Sequence, residues 1–165
     1  MTDVLLSLGA NLGQPLSQIL EAFDHIRERY PDAVMSPIYR TEPLHVLDQP
    51  DYFNSAVHFR TGDTPEELMD WLLRLELHFG RERKGNNAPR TLDVDIILFG
   101  ERRLMTETLT LPHPRFRQRR FVLEPAVQIA PQLEDPVTGL TVRDLHRRCA
   151  DTSRVIAVRE DLEAV

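Results

Sequence analysis

Asp93 and Asp95 stand two residues apart in the run from Arg90 to Phe99, which otherwise has the composition of a buried strand. Side chains two apart on a strand share a face, so both carboxylates point the same way, about 6.5–7 Å apart along the backbone. Like charges so placed repel each other and resist burial unless a cation lies between them. Oxygen ligands on a rigid strand suit Mg²⁺, which takes one or two carboxylates and completes its shell with water and substrate phosphates. Arg81, Arg83, Lys84 and Arg90 lie just upstream and are suited to hold such phosphates. Strict alternation places Ile97 and Phe99 on the aspartate face, and Leu92, Val94, Ile96 and Leu98 on the other. A solvated strand face is the plainer reading of two aspartates alone. The neighbouring arginines and the apolar residues sharing their face favour a metal site.

Those arginines belong to an uneven charge distribution. The net charge is −6, but residues 81–120 hold ten of the twenty Lys and Arg residues against five acids, leaving that stretch at +5 and the remainder at −11. One basic block on an acidic chain fits a local site for a small polyanion better than a nucleic-acid surface. Lys84 is the only lysine, and arginine is the residue that forks onto phosphate bidentately. No Gly-rich loop ending in Lys-Ser/Thr is present, which excludes the P-loop.

The elements that must position these groups follow from periodicity. Val4–Leu8 is an apolar strand ending in the turn Gly9-Ala10-Asn11-Leu12-Gly13. A helix starts near Pro15, burying Leu16, Ile19, Leu20, Phe23 and Ile26, and stops at Pro31-Asp32. Ala33–Arg40 reads as one strand, Thr41–Asp51 as a loop and Tyr52–Arg60 as an alternating strand. Thr64-Pro65-Glu66-Glu67 is a capping box that opens a second helix, with Leu68, Trp71, Leu72, Leu75 and Phe79 in the core and Gly80 as its stop. The order strand, helix, strand, strand, helix, strand predicts an α+β fold of ferredoxin-like type, an antiparallel sheet with helices on one face. Beyond it, Leu109–Pro114 is extended, Phe121–Ile129 and Val142–Cys149 are helical, and Val155–Val158 is a short strand. At 165 residues, 41% hydrophobic and 28% charged, the expected organisation is one domain over residues 1–160 with a tail at 161–165. A single cysteine, Cys149, no basic leader and no apolar run near the roughly 18 residues of a membrane span predict a cytoplasmic chain without membrane contact.

Several segments fall into a specific order. They are Gly9 to Gly13, Tyr39-Arg40-Thr41-Glu42-Pro43-Leu44, Gln49 to Asn54, Glu76, Gly80-Arg81-Glu82-Arg83, Arg90 to Ile96, Leu111-Pro112-His113-Pro114 and Arg119 to Leu123. In this the chain resembles the 6-hydroxymethyl-7,8-dihydropterin pyrophosphokinase family, over roughly residues 4–160. The resemblance implies transfer of a pyrophosphoryl group from ATP to the hydroxymethyl of a dihydropterin, releasing AMP. It implies two Mg²⁺ ions held by Asp93 and Asp95, and a monomer whose partners are ATP and the pterin, without nucleic acid. Arg81, Arg90 and Asp95 would be catalytic. Glu76, Arg81, Arg83, Arg90, Ile96, Thr110, His113 and Arg119 would bind ATP. Thr41, Glu42, Leu44, Tyr52, Asn54 and Phe121 would bind the pterin, Asn54 reading its amide edge and Tyr52 and Phe121 sandwiching the ring.

Taken singly, most of these residues have plainer readings: Tyr52 and Phe121 as core aromatics, His113 as a loop hydrogen-bonder, Glu76 on a solvated helix face. The chain also departs from the family pattern. Lys84-Gly85-Asn86-Asn87-Ala88-Pro89 lacks the tryptophan usual in that loop and is about one residue short, Thr108 stands where an arginine is expected, Pro114 where an aromatic is frequent, and Ala10 where Ser is common. The alternative reading is therefore a paralogue that binds pterin or nucleotide with altered substrate or impaired transfer. A two-metal phosphodiester hydrolase would require further acidic ligands that the neighbouring sequence does not offer.

Overall fold

The computed structural model of the chain describes residues 1–41, 51–80 and 92–158. Their elements run β1 (Thr2–Ala10), α1 (Pro15–Arg29), β2 (Val34–Met35), β3 (Tyr39–Thr41), β4 (Tyr52–Thr61), α2 (Pro65–His78), β5 (Asp93–Phe99), β6 (Leu104–Met105), β7 (Thr110–Leu111), α3 (Arg120–Ile129), α4 (Val142–Arg148) and β8 (Val155–Ala157). A 3-10 turn, Phe116–Gln118, precedes α3. The main sheet has the order β5-β1-β4-β3-β8, with β2 also pairing β4, and all its pairings are antiparallel. This is the expected α+β architecture, with β4 at the centre of the sheet and β1 between it and β5.

Alternation along β1 sorts the core into two. Val4, Leu6, Leu8 and Ala10 join Val57 and Phe59 of β4, Val94 and Ile96 of β5, and the buried faces of α1 and α2. Leu5 faces the other way, with Ala56, Leu98 and the buried residues of α3 and α4. Helices were expected on one face only; α3 and α4 form a second layer, because Leu5, Ile97 and Leu98 make that face apolar at one end. α2 begins with the predicted capping box, Thr64 Oγ1 accepting from Glu67 N at 3.1 Å.

Ala33–Arg40 is not one strand. Pro37 has no N–H to give to the ladder, so the chain breaks into β2 and β3. Ser36 bridges the break, its N–H donating to Ala56 O and its Oγ accepting from Ala56 N, both at 2.9 Å. The first turn also starts later than expected. Gly9 and Ala10 continue β1, and only Gly13 takes a positive φ, 68°.

The most consequential difference lies in β5. Leu6 pairs with Ile96 but Leu5 with Leu98, so Ile97 is an extra residue in the ladder, a β-bulge. A bulge resets alternation. Ile97 stays on the aspartate face as expected, but Leu98 joins it there in the second core, and Phe99 turns to the first. The expected placement of Leu98 and Phe99 is thereby reversed.

Asp135, fully buried, ties the turn before α3 to the loop before α4. Arg117 donates to it through Nε at 2.5 Å and Nη2 at 2.9 Å, and Thr138 Oγ1 and Val137 N also donate. Burial alone would push this carboxyl's pKa up; the hydrogen bonds outweigh it and hold the value at about 2. A folded pKa below the unfolded one means that this stabilisation is present above about pH 3.9 and lost as pH falls towards 2. Arg117→Ala strands a buried charge and should cost about 3–5 kcal/mol at neutral pH. Urea unfolding should show that gap narrowing as the pH is lowered from about 4 to about 2.

Candidate active site

On the face of the sheet covered by α3 and α4, apolar residues occupy only one end. At the other end, polar residues from adjacent strands fall into register. Gly9 lies between Asp93 of β5 and Asn54 of β4, and Ser7 between Asp95 and Ala56. Tyr39 continues the first row, and Thr41 pairs with Tyr52. Over this floor opens a pocket of about 430 Å³, lined by Ser7, Gly9, Thr41, Tyr52, Asn54, Asp93, Asp95, Arg119, Phe121 and Ser153.

Asp93 is half-buried and Asp95 exposed, so neither carboxylate bears the cost of full burial. Between them, Val94 turns its N–H outwards from the sheet edge, where Glu76 Oε2 accepts it at 2.9 Å. Glu76 is 3% exposed, not on a solvated helix face. It holds the edge of β5 between the two aspartates and does not line the pocket. Ile96 likewise lies outside the lining: its side chain points into the first core.

Across the pocket, Tyr52 and Phe121 offer aromatic surface to a flat ligand, and Arg119 carries its guanidinium carbon 5.5 Å from the centre of the Phe121 ring. Asn54 is 5% exposed; its Nδ2 reaches Leu8 O at 3.5 Å, and its Oδ1 and Thr41 Oγ1 are buried without hydrogen-bond partners among the described residues. Unsatisfied buried oxygens cost free energy, and here both belong to residues that line a cavity. A ligand bearing N–H or O–H donors would satisfy them.

His113 stands beside the pocket. The bulge leaves Ile97 O out of the β1 ladder, and it accepts from His113 N at 2.9 Å. Burial depresses the imidazole pKa, with Arg119 and Arg115 adding to that shift and Asp95 opposing it. Nδ1 accepts from Arg115 N at 3.2 Å, which assigns the proton of the neutral ring to Nε2. Thr110 lies in β7, outside the lining.

The structure thus brings together seven of the sequence-predicted residues: Thr41, Tyr52, Asn54, Asp93, Asp95, Arg119 and Phe121. Glu42, Leu44, Arg81, Arg83 and Arg90 lie outside the described residues. Sequence reasoning missed Ser7, Gly9 and Ser153 as pocket residues. Alternation with Asn54 and Asp95 was a signal available for the first two once the strand register was known; no local pattern marks Ser153. Among the described residues no three His, Cys, Asp or Glu side chains gather as a metal cluster. Two strand carboxylates lining one open pocket nevertheless suit a hard cation that draws its remaining ligands from water and phosphate.

A family model described as 7,8-dihydro-6-hydroxymethylpterin-pyrophosphokinase matches residues 5–131. The 2-amino-4-hydroxy-6-hydroxymethyldihydropteridine pyrophosphokinase of Pseudomonas aeruginosa is 41% identical over 136 residues, covering 81% of this chain and 83% of that protein. A folic acid synthesis protein of Pneumocystis carinii is 34% identical over 90% of this chain, which spans only 20% of that protein's length. The crystal structure of the Plasmodium falciparum HPPK-DHPS protein with pteroate shares the fold, with a TM-score of 0.69 at 14% identity, over 89% of this chain and 42% of that one.

Gly9 makes the pocket floor possible. A Cβ there would lie 2.8 Å from Asn54 Nδ2, so Gly9→Ala must displace the Asn54 carboxamide. The expected outcome is a shift of the Asn54 side-chain amide resonances in nitrogen-15 NMR and a loss of about 1–3 kcal/mol in stability from overpacking.

Proposed function

Because the chain belongs to the 7,8-dihydro-6-hydroxymethylpterin-pyrophosphokinase family, we propose that it transfers the β,γ-pyrophosphoryl group of ATP to the hydroxymethyl oxygen of 6-hydroxymethyl-7,8-dihydropterin. The bond from that oxygen to the β-phosphorus forms as the bond from the β-phosphorus to the α,β-bridging oxygen breaks. AMP leaves, and the hydroxyl proton is lost to solvent or base. One observation carries the reading: a pair of carboxylates on β5 opens onto the same pocket as two unpartnered buried oxygens and two aromatic rings. Acidic metal ligands and a slot for a flat heterocycle are what this transfer needs side by side.

In this reading Asn54 Oδ1 and Thr41 Oγ1 accept donors on the pterin edge, and Tyr52 and Phe121 flank its ring. Glu42 and Leu44 would close the slot from the following segment. Asp93 and Asp95 would hold Mg²⁺, for which we favour two ions. Bound there, Mg²⁺ would supply charge neutralisation for the triphosphate. Arg119 extends positive charge across the pocket, and the neutral His113 presents an Nε2–H donor beside Asp95. Arg81, Arg83 and Arg90 would grip the triphosphate, and Thr110 would lie along its approach. Glu76 and Ile96 would then contribute to the nucleotide side by fixing β5 from behind rather than through side chains in the pocket. No covalent nucleophile is required, since the acceptor supplies the attacking oxygen and the protein supplies alignment and charge.

The paralogue reading is not favoured. It rests on the loop at residues 84–89, whereas the match to pyrophosphokinases extends over most of the chain. We further propose a cytoplasmic monomer, in keeping with the lone free Cys149. No helix among the described residues is long and apolar enough to cross a membrane.

Incubation with ATP, Mg²⁺ and the hydroxymethyl dihydropterin should yield AMP and the diphosphorylated pterin in equal amounts. Formation of ADP, or no turnover, overturns the proposal. Asp95 is exposed, so Asp95→Asn should leave thermal stability nearly unchanged while lowering kcat by about 10²–10³-fold or more.

A further inference from the structure

One wall of the pocket is built by chain beyond residue 131, where the family match ends. Ser153 lines the pocket and is buried, although it lies outside regular structure between α4 and β8. Asp151 Oδ1 accepts from Ser153 N at 2.8 Å and from Ser153 Oγ at 2.5 Å, and the Ser153 carbonyl accepts from Arg120 Nη1 at 3.2 Å. The second carboxylate oxygen, Asp151 Oδ2, accepts from the backbone N–H of Arg120 at 3.0 Å.

Arg120 is the first residue of α3 and lies between Arg119 and Phe121, both of which line the pocket. The helix has no capping side chain of its own, because Arg119 at its N-cap has no acceptor to offer. Asp151 supplies one from 31 residues away. Its negative charge also suits the positive end of the helix. The bonds from Ser153 and Arg120 keep this carboxyl below the usual carboxylate range against the opposing effect of burial. The Arg120 side chain is anchored too, its Nε 3.7 Å from Glu124 Oε2, to which His146 is also bonded. Just beyond Ser153, Val155 of β8 pairs with Thr41, another pocket residue.

We propose that Asp151 is a positioning residue for substrate binding: by joining the first turn of α3 to the Ser153 segment it sets Arg119 and Phe121 over the pocket. Asp151 does not itself line the pocket. Arg119 and Phe121 flank Arg120, and the Arg119 guanidinium lies over the Phe121 ring, so a shift of the helix start moves both. The identity of the substrates rests on the pyrophosphoryl-transfer reading; the clamp does not.

A purely structural role and a positioning role separate in the kinetics. Loss of folded protein lowers kcat and leaves KM unchanged, whereas displacement of binding groups raises KM. In Asp151→Ala the KM for the pterin should rise about tenfold, as expected for one lost charge-assisted hydrogen bond, with kcat changed by less than about threefold. Ser153→Ala should fall between this variant and wild type. Hydrogen exchange followed by mass spectrometry should show faster exchange over residues 119–123, with β1 and β4 unaltered. Asp151→Asn keeps the volume and one acceptor oxygen, and carries the same measurements should the alanine variant fail to fold. Unchanged exchange at 119–123, or a fall in kcat with the KM unmoved, overturns the proposal. A wild-type chain that makes no AMP would overturn the functional reading instead and leave the exchange experiment to decide the clamp.

Discussion

The antiparallel pairing of β5 with β1, bulged at Ile97, is the constraint on which the site depends. It places Asp93 beside Gly9 and Asp95 beside Ser7, so the two carboxylates share a face with polar or small neighbours. One extra residue then reverses the alternation and adds Leu98 to Ile97 at the apolar end of that face. The bulge also leaves a carbonyl for His113 N, which brings the segment before α3 alongside the aspartates. Without it, strict alternation would turn Leu98 away from α3 and α4, and Phe99 towards them. One strand thus serves as metal platform at its start and as core for two layers at its end.

Charge is handled according to burial. Asp95 is exposed, in a cavity open to solvent and ligand, and does not bear the cost of burying a charge. Asp135 is fully buried and is held by Arg117, Thr138 and Val137, as an interior carboxylate must be. Glu76 is buried with one oxygen on an edge N–H of β5, covering part of an edge that would otherwise be open to pairing. By contrast, Asn54 Oδ1 and Thr41 Oγ1 are buried without partners among the described residues, and both belong to residues that line the pocket. A third such oxygen, Ser55 Oγ, lies outside the pocket lining.

The pocket is assembled from distant pieces. Strand residues from the first hundred supply its floor, the start of α3 supplies an aromatic and a cation, and Ser153 closes a side. The last segment is tied in through Asp151, whose carboxylate bridges two backbone N–H groups 33 residues apart, those of Arg120 and Ser153. A helix start without its own cap is a weak anchor for binding groups; here the cap arrives from elsewhere in the chain.

Much of this was legible in the sequence. Periodicity was enough to place α1, α2, β1, β4 and the two later helices, because burying one face imposes a repeat of 3.6 or 2 residues, although Leu20, expected on the buried face of α1, is exposed. The spacing of Asp93 and Asp95 was enough for a shared face, since the pleat of a strand is local geometry. Motif order identified Thr41, Tyr52, Asn54, Arg119 and Phe121 as belonging together. The tertiary structure alone decided which strands are neighbours, and hence that Gly9 leaves room for Asn54 and that Glu76 is buried at the strand edge rather than solvated. It also decided the bulge at Ile97, the second helical layer and the use of Asp151 as a remote cap. Each of these depends on partners far away in sequence, and strand register and hydrogen-bond partnership between such segments leave no periodic trace in either one.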